Sequence, residues 1–167
     1  MTRSRPYSLR VLSVILVVAG LVFTSALVVQ VMSVHQQSDI NEVGRLEAAA
    51  VILSSAYAEA LHSGGLVAPL VGGDLPSGLR LTILNTSGSA VADSEYDLAS
   101  VTNRIADPEV KQAAATGMGV IVSYRIESGQ RERTVCVAVR DAGSLAGFAA
   151  ASSPVGLTWL SASRTLS

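Results

Sequence analysis

The longest unbroken pattern in the chain is apolar. From Val11 to Val34 (VLSVILVVAGLVFTSALVVQVMSV) no residue is charged. As a helix this segment is ~36 Å long, enough to cross a ~30 Å hydrocarbon core with some tilt. Ser13, Thr24, Ser25 and Ser33 can bond back to their own helix at little cost. Gln30, near the outer end, is the one costly group. The period then changes. Val43, Leu46, Ala50, Leu53, Tyr57 and Ala60 recur in steps of three and four, one stripe of a helix, until Gly64-Gly65 stops it. No proline separates the two segments, so the pattern predicts one helix running from a membrane span into a stalk. The stripe has two compatible uses. It can form a two-stranded seam with a second copy of the chain, making a homodimer, or it can pack on the chain's own domain.

Past the stalk the period is two. The stretch Leu66 to Gly78 is rich in glycine and proline and reads as a connector. Leu79 to Asn85 (LRLTILN) alternates and ends in Asn-Thr-Ser-Gly, and Ala90 to Ala92 resumes, which predicts a hairpin around Ser87-Gly88. Asp107-Pro108-Glu109 has the residue types of a helix start, with Asp as N-cap, Pro in the first turn and an acid near the positive end of the dipole. That helix runs to about Thr116 and ends at Gly117. Val120 to Ile126, Arg133 to Arg140 and Leu145 to Ser152 then predict three strands in an antiparallel meander. The sum is an α+β domain: a five-stranded antiparallel sheet with helices on one side. The implied organisation is a basic head over 1–10, a transmembrane helix over 11–34, a stalk over 35–64, a domain over 65–154 and a tail over 155–167.

Charge orients this arrangement. Arg3, Arg5 and Arg10 precede the apolar run, and every acidic residue lies after Gln37. The positive-inside rule puts such an N-terminus in the cytoplasm and the domain outside the membrane. A cleaved signal peptide is the rival reading, but signal cores span only ~7–15 apolar residues. With 15% charged residues and a net charge of -1, nothing calls for nucleic acid as a partner. A single cysteine, Cys136, excludes an internal disulfide and reads as a small buried hydrophobe. The two histidines, His35 and His62, have no partner at ligand spacing, so no metal site, catalytic constellation or cofactor is expected. Gly117-Met118-Gly119 leads into a strand, which makes it a turn rather than a phosphate loop. Asp93, Glu95 and Asp97 lack the later Gly and Glu of a calcium loop and read as a solvated turn.

Several pieces resemble, in order and spacing, the extracytoplasmic sensor domain of phosphate-regulon-type bacterial sensor histidine kinases. They are LRLTILNTSGSAVADSE (79–95), the Asp-Pro-Glu-Val start with KQAAATG (107–117), GVIVSYRI (119–126) and VAVRDAGSLAGF (137–148). The resemblance, which includes the membrane helix and stalk, covers the chain up to Pro154. It implies a PAS-like domain, with an antiparallel sheet of about five strands and a long N-terminal helix. Kinases of that kind continue into a second membrane helix, a HAMP linker, a phosphoacceptor helix and an ATP-binding domain. Val155 to Ser167 (VGLTWLSASRTLS) is too short to span, and no residue that would carry phosphotransfer is present.

The function expected is therefore a membrane-anchored signal-input module truncated before the kinase core, responding to a small-molecule or protein signal. The alternative is a stand-alone anchored domain that binds another envelope protein, and an extracytoplasmic enzyme is the third reading. Arg104, Tyr124, Arg125 and Arg140 are the polar groups nearest the expected sheet and cleft, and Arg104, Tyr124 and Arg140 are the ligand candidates. Their arginines would suit an anion, since a guanidinium grips carboxylate or phosphate with two bonds. Strand alternation puts Arg125 on the face opposite Tyr124.

Overall fold

In the computed structural model the described residues are 7–155. The tail expected from 155 onward lies almost wholly outside them, as do residues 1–6 of the basic head and many side chains of the first helix before position 40. The chain forms two compact units, Met1–Glu42 and Val43–Ser167. Helix α1, Tyr7–Ser63, is continuous through both ranges. In its first part Ser25 Oγ donates to the Val22 carbonyl at 2.8 Å, the internal bond expected of a hydroxyl in an apolar helix. Among the described residues no helix is long and apolar enough to cross a membrane. The span expected over 11–34 falls largely on side chains outside that description.

The second unit contains the rest. After α1 come a single 3-10 turn (Ala68–Leu70), β1 (Arg80–Asn85), β2 (Ala90–Asp93), α2 (Pro108–Thr116), β3 (Met118–Arg125), β4 (Gln130–Asp141) and β5 (Ser144–Pro154). The five strands form one antiparallel sheet in the order β2-β1-β5-β4-β3. The expected hairpin and meander are both present, and the α+β single-sheet layout is the one the resemblance implies. Segment 94–117 carries the chain from the β2 edge to the β3 edge, with α2 on the way.

One expectation about the layers fails. The helices lie on opposite faces of the sheet, not on one side. The end of α1 packs Leu46, Ala50, Leu53 and Tyr57 against Leu81, Ile83, Val135, Val139, Ala149 and Ala151. Helix α2 packs Val110 and Ala113 against the alternate residues Leu84, Cys136, Phe148 and Ala150. Successive strand residues point to opposite faces, so these sets mark two covered sides. The physical reason lies in β1 and β5. Every residue from Arg80 to Leu84 and from Gly147 to Ser153 is buried, which requires cover on both faces.

Helix α2 begins and ends where its residues predict. Asp107 stands at the N-cap with extended backbone, Pro108 opens the first turn, and Gly117 takes the left-handed conformation at φ 94 that closes the helix. The Asp107 side chain makes no capping bond, however, and is turned to other partners described below. Gly119 lets α2 lie against β3: a Cβ there would sit 2.1 Å from the Glu109 carbonyl oxygen.

Of the two uses open to the stripe, the structure shows the packing on the chain's own sheet. Leu46, Ala50, Leu53 and Tyr57 are buried in the chain's own core, and Val43 is half-buried. Burial also raises the Tyr57 pKa above its usual value.

Candidate functional site

The two faces of the sheet differ in chemistry. Where α1 packs, the sheet's face is apolar. The α2 side carries, among its apolar residues, two groups of buried charges.

The first group is built on β1, β2 and β4. Arg80 and Thr82 share a face of β1, and Asp93 stands opposite Thr82 on β2. Arg80 Nε and Nη2 donate to Asp93 Oδ2 at 3.0 and 2.9 Å, and Thr82 Oγ1 donates to it at 2.7 Å. The main-chain N–H groups of Glu95 and Tyr96 donate to Asp93 Oδ1 at 3.0 Å. Burial pushes the Asp93 carboxyl up. The bonds from Arg80, Glu95 and Thr82 and the Arg80 charge outweigh it, and the pKa is lowered. The Tyr96 ring lies 4.5 Å from the Arg80 guanidinium, within cation–π range. Glu132 Oε2 approaches Arg80 Nη1 only to 3.9 Å. Asp93, expected in a solvated turn, has a fully buried side chain.

The second group ties α2 to β3. Arg104 donates to Glu109 Oε1 at 2.8 Å and to Asp107 Oδ2 at 3.3 Å. Arg125 donates to the same two carboxylates. Burial works against the Arg125 charge, but Glu109 and Asp107 outweigh it and raise its pKa, so it stays protonated. Cys136 lies on the same face, and burial pushes its thiol up to about 12, making it an inert packing group.

Several buried polar atoms on this side lack a partner. Among the described residues they are Glu109 Oε2, Ser123 Oγ, Arg125 Nε, Ser128 Oγ, Glu132 Oε2 and Thr134 Oγ1. All but Ser128, in the β3–β4 turn, belong to this face or to α2 above it. Folded proteins pair nearly all such atoms, and each one left bare costs roughly 1–3 kcal/mol. Their concentration on one face is what a site for a polar guest needs. A separate recess of about 360 Å³ opens between residues 73–79 and Ser94–Glu95, and none of the expected ligand residues lines it. Among the described residues no group of three or more His, Cys, Asp or Glu is placed to hold a metal ion.

The expected ligand residues do not converge. Arg104 is buried, with its guanidinium committed to Glu109 and Asp107. Tyr124 is 63% exposed and lies on the α1 side of β3. Arg140 is exposed. Tyr124 pairs with Arg131, and Arg140 is further along β4 by nine positions, ~30 Å of strand. The residue that joins Arg104 is Arg125. Alternation does separate Arg125 from Tyr124, and the side that α2 covers is that of Arg125.

Glu132, Thr134 and Ser123 were not singled out by sequence. On β4 they have no visible signature, because Arg131 and Arg133 make the opposite face equally polar there. The Arg80–Asp93 pair did leave one: Arg80 and Thr82 are the polar beats of LRLTILN, and an acid closes the hairpin across from them.

No protein-family model matches the chain, and no curated protein matches it. Solved structures with partial likeness include the sensor domain of the V. cholerae histidine kinase DctB, at 18% identity and TM-score 0.42, over 46% of this chain and 31% of that one. Another is the ligand-binding domain of the Pseudomonas aeruginosa PAO1 amino acid chemoreceptor PctC in complex with GABA, at 22% identity and TM-score 0.37, over 45% of this chain and 36% of that one. The chain thus spans about a third of each, and at these TM-scores the likeness does not establish a shared fold.

Proposed function

We propose that the chain is the signal-input module of a membrane-anchored sensor of the two-component histidine kinase type. The observation that carries this reading is the α2 face: buried charges and unpartnered polar atoms enclosed by a helix and a crossing segment, as a site for a small polar signal requires. The uncharged run over 11–34 supplies the anchor, and the arginines before it hold the N-terminus in the cytoplasm with the domain outside. A signal held between α2 and the sheet would shift the sheet against α1 on its other face, and packed helices can switch between discrete arrangements. Phosphotransfer and ATP binding would belong to a kinase part outside these 167 residues.

Two experiments test it. An alkaline phosphatase fusion after Gly65 is active only if that point is exported, and an inactive fusion defeats the anchor and its orientation. Thermal unfolding of the full chain in lipid nanodiscs, against a panel of small amines, amino acids and dicarboxylates, should show a raised midpoint with at least one class. The rise should vanish in Thr134→Trp, which fills the face. No shift from any class defeats the ligand-input reading.

A second reading, an anchored domain that binds another envelope protein, has one observation in its favour. Strand β3 is a sheet edge, and Val120, Tyr124 and Ile126 at or beside it are exposed. Charged substitutions at these three positions would abolish such a partner's binding and leave small-molecule binding intact.

A further inference from the structure

The ion pairs on the α2 side of the sheet do not balance. Three arginines, Arg80, Arg104 and Arg125, meet four carboxylates, Asp93, Asp107, Glu109 and Glu132. The unmatched acid can be located. Arg104 and Arg125 are both bonded to Asp107 and Glu109, and Arg80 spends Nε and Nη2 on Asp93. Glu132 is left with one cation 3.9 Å away, beyond hydrogen-bond length. Its side chain is 5% exposed, and Oε2 has no hydrogen-bond partner. A buried carboxylate without a matched cation is strongly disfavoured.

Two other unpartnered oxygens stand beside it. Ser123 is the direct cross-strand partner of Glu132, and Thr134 is two residues along β4 on the same face. Both hydroxyls are buried and unpartnered. A primary ammonium has three N–H donors and no acceptor. Glu132 Oε2, Ser123 Oγ and Thr134 Oγ1 are three acceptors, one of them charged. We propose that these three residues bind the primary ammonium group of the signal molecule.

This rests on the α2 face being the ligand site. It reverses the sequence-based expectation of an anion, because the arginines are already engaged and the excess charge is negative. Water could satisfy the hydroxyls but would leave the charge unbalanced. A metal ion would need more than the single carboxylate found here.

The test is calorimetric titration of the full chain in nanodiscs with putrescine, glycine and succinate. Binding of an amine-bearing probe is expected, weakened at least about tenfold in Glu132→Gln, the worth of one charge-assisted bond. Thr134→Val and Ser123→Ala should each weaken it less, and they serve if Glu132→Gln does not fold. Putrescine alone points to a diamine signal, and glycine to an amino acid, both in support. Binding of succinate alone, or amine binding indifferent to all three substitutions, overturns the ammonium assignment and leaves the ligand-input reading standing. Binding of no probe, with no thermal shift from the wider panel, overturns both. A ligand-free Glu132→Gln that melts several degrees below the native chain means Arg80 already neutralises that carboxylate, which also overturns the proposal.

Discussion

The two sides of one sheet are built to different rules. On the α1 side Leu46, Leu53, Tyr57, Ile83, Val135 and Val139 interlock with no charge among them. On the α2 side Val110, Phe148 and Ala150 share the interior with Arg80, Asp93, Arg104, Glu109, Arg125 and Glu132. An all-apolar interior stabilises with little specificity, whereas buried charges contribute only while every partner is in place. Under the proposed function, the α1 side would serve stability and the α2 side recognition.

The comparison can be broken at its most demanding point. Glu109 is fully buried and holds both Arg104 and Arg125. Glu109→Ala should cost about 4 kcal/mol, the penalty for stripping a buried ion pair of one member; urea unfolding measures it. A cost below about 1 kcal/mol would mean the group is wetter and looser than its geometry, and the two sides would no longer differ. Leu46→Ala on the other face should cost about 3 kcal/mol by the same measurement, set by the cavity left behind. It should leave probe binding unchanged, which is the sharper half of the test.

A smaller effect appears with acid. Burial pushes the Glu127 carboxyl up, but the hydroxyl and main-chain N–H of Thr102, at 2.6 and 2.9 Å, lead the effects that hold it at about 2, against 4.5 as the reference value. Asp93 is shifted in the same direction. A depressed folded-state pKa gives stability that is fully present above the unfolded value and is lost as pH falls through the folded one. The unfolding midpoint should therefore decline between about pH 4.5 and 2, and less steeply in Glu127→Gln. Equal slopes for the two chains would remove Glu127 from the acid response. The smallest change belongs to the exposed β3 edge: Tyr124→Ser should alter stability by no more than about 0.5 kcal/mol. A larger loss in thermal unfolding would mean that the ring is covered.

Much of this was legible because secondary structure follows local periodicity. The stripe from Val43 to Ala60, the beats of LRLTILN, the Asp-Pro-Glu helix start and Gly117 each act within a few residues, and each element formed where its residues predict. The burial of Cys136 followed from its place in an alternating apolar run. The candidate site was much less legible. Alternation shows that Tyr124 and Arg125 point apart without showing which side will be covered. That is decided by the crossing of segment 94–117, which puts α2 over Arg125 and leaves Tyr124 exposed. The same crossing turns Asp107 from a capping residue into an ion-pair partner, and the β1–β2 pairing draws Asp93 from an apparent solvated turn into the interior. The stripe on α1 was visible from sequence, but its partner was not, since apolar side chains fit a second copy as readily as the chain's own sheet.

The sequence by itself determined which segments are helix and strand, because hydrophobic period, caps and turn residues act over short range. Only the tertiary structure decided that the two helices take opposite faces, that Arg104 and Arg125 meet over Glu109, and that Glu132 is left short of a cation. Those outcomes depend on charges and surfaces brought together from distant parts of the chain, where one carboxylate too many is invisible until its neighbours are known.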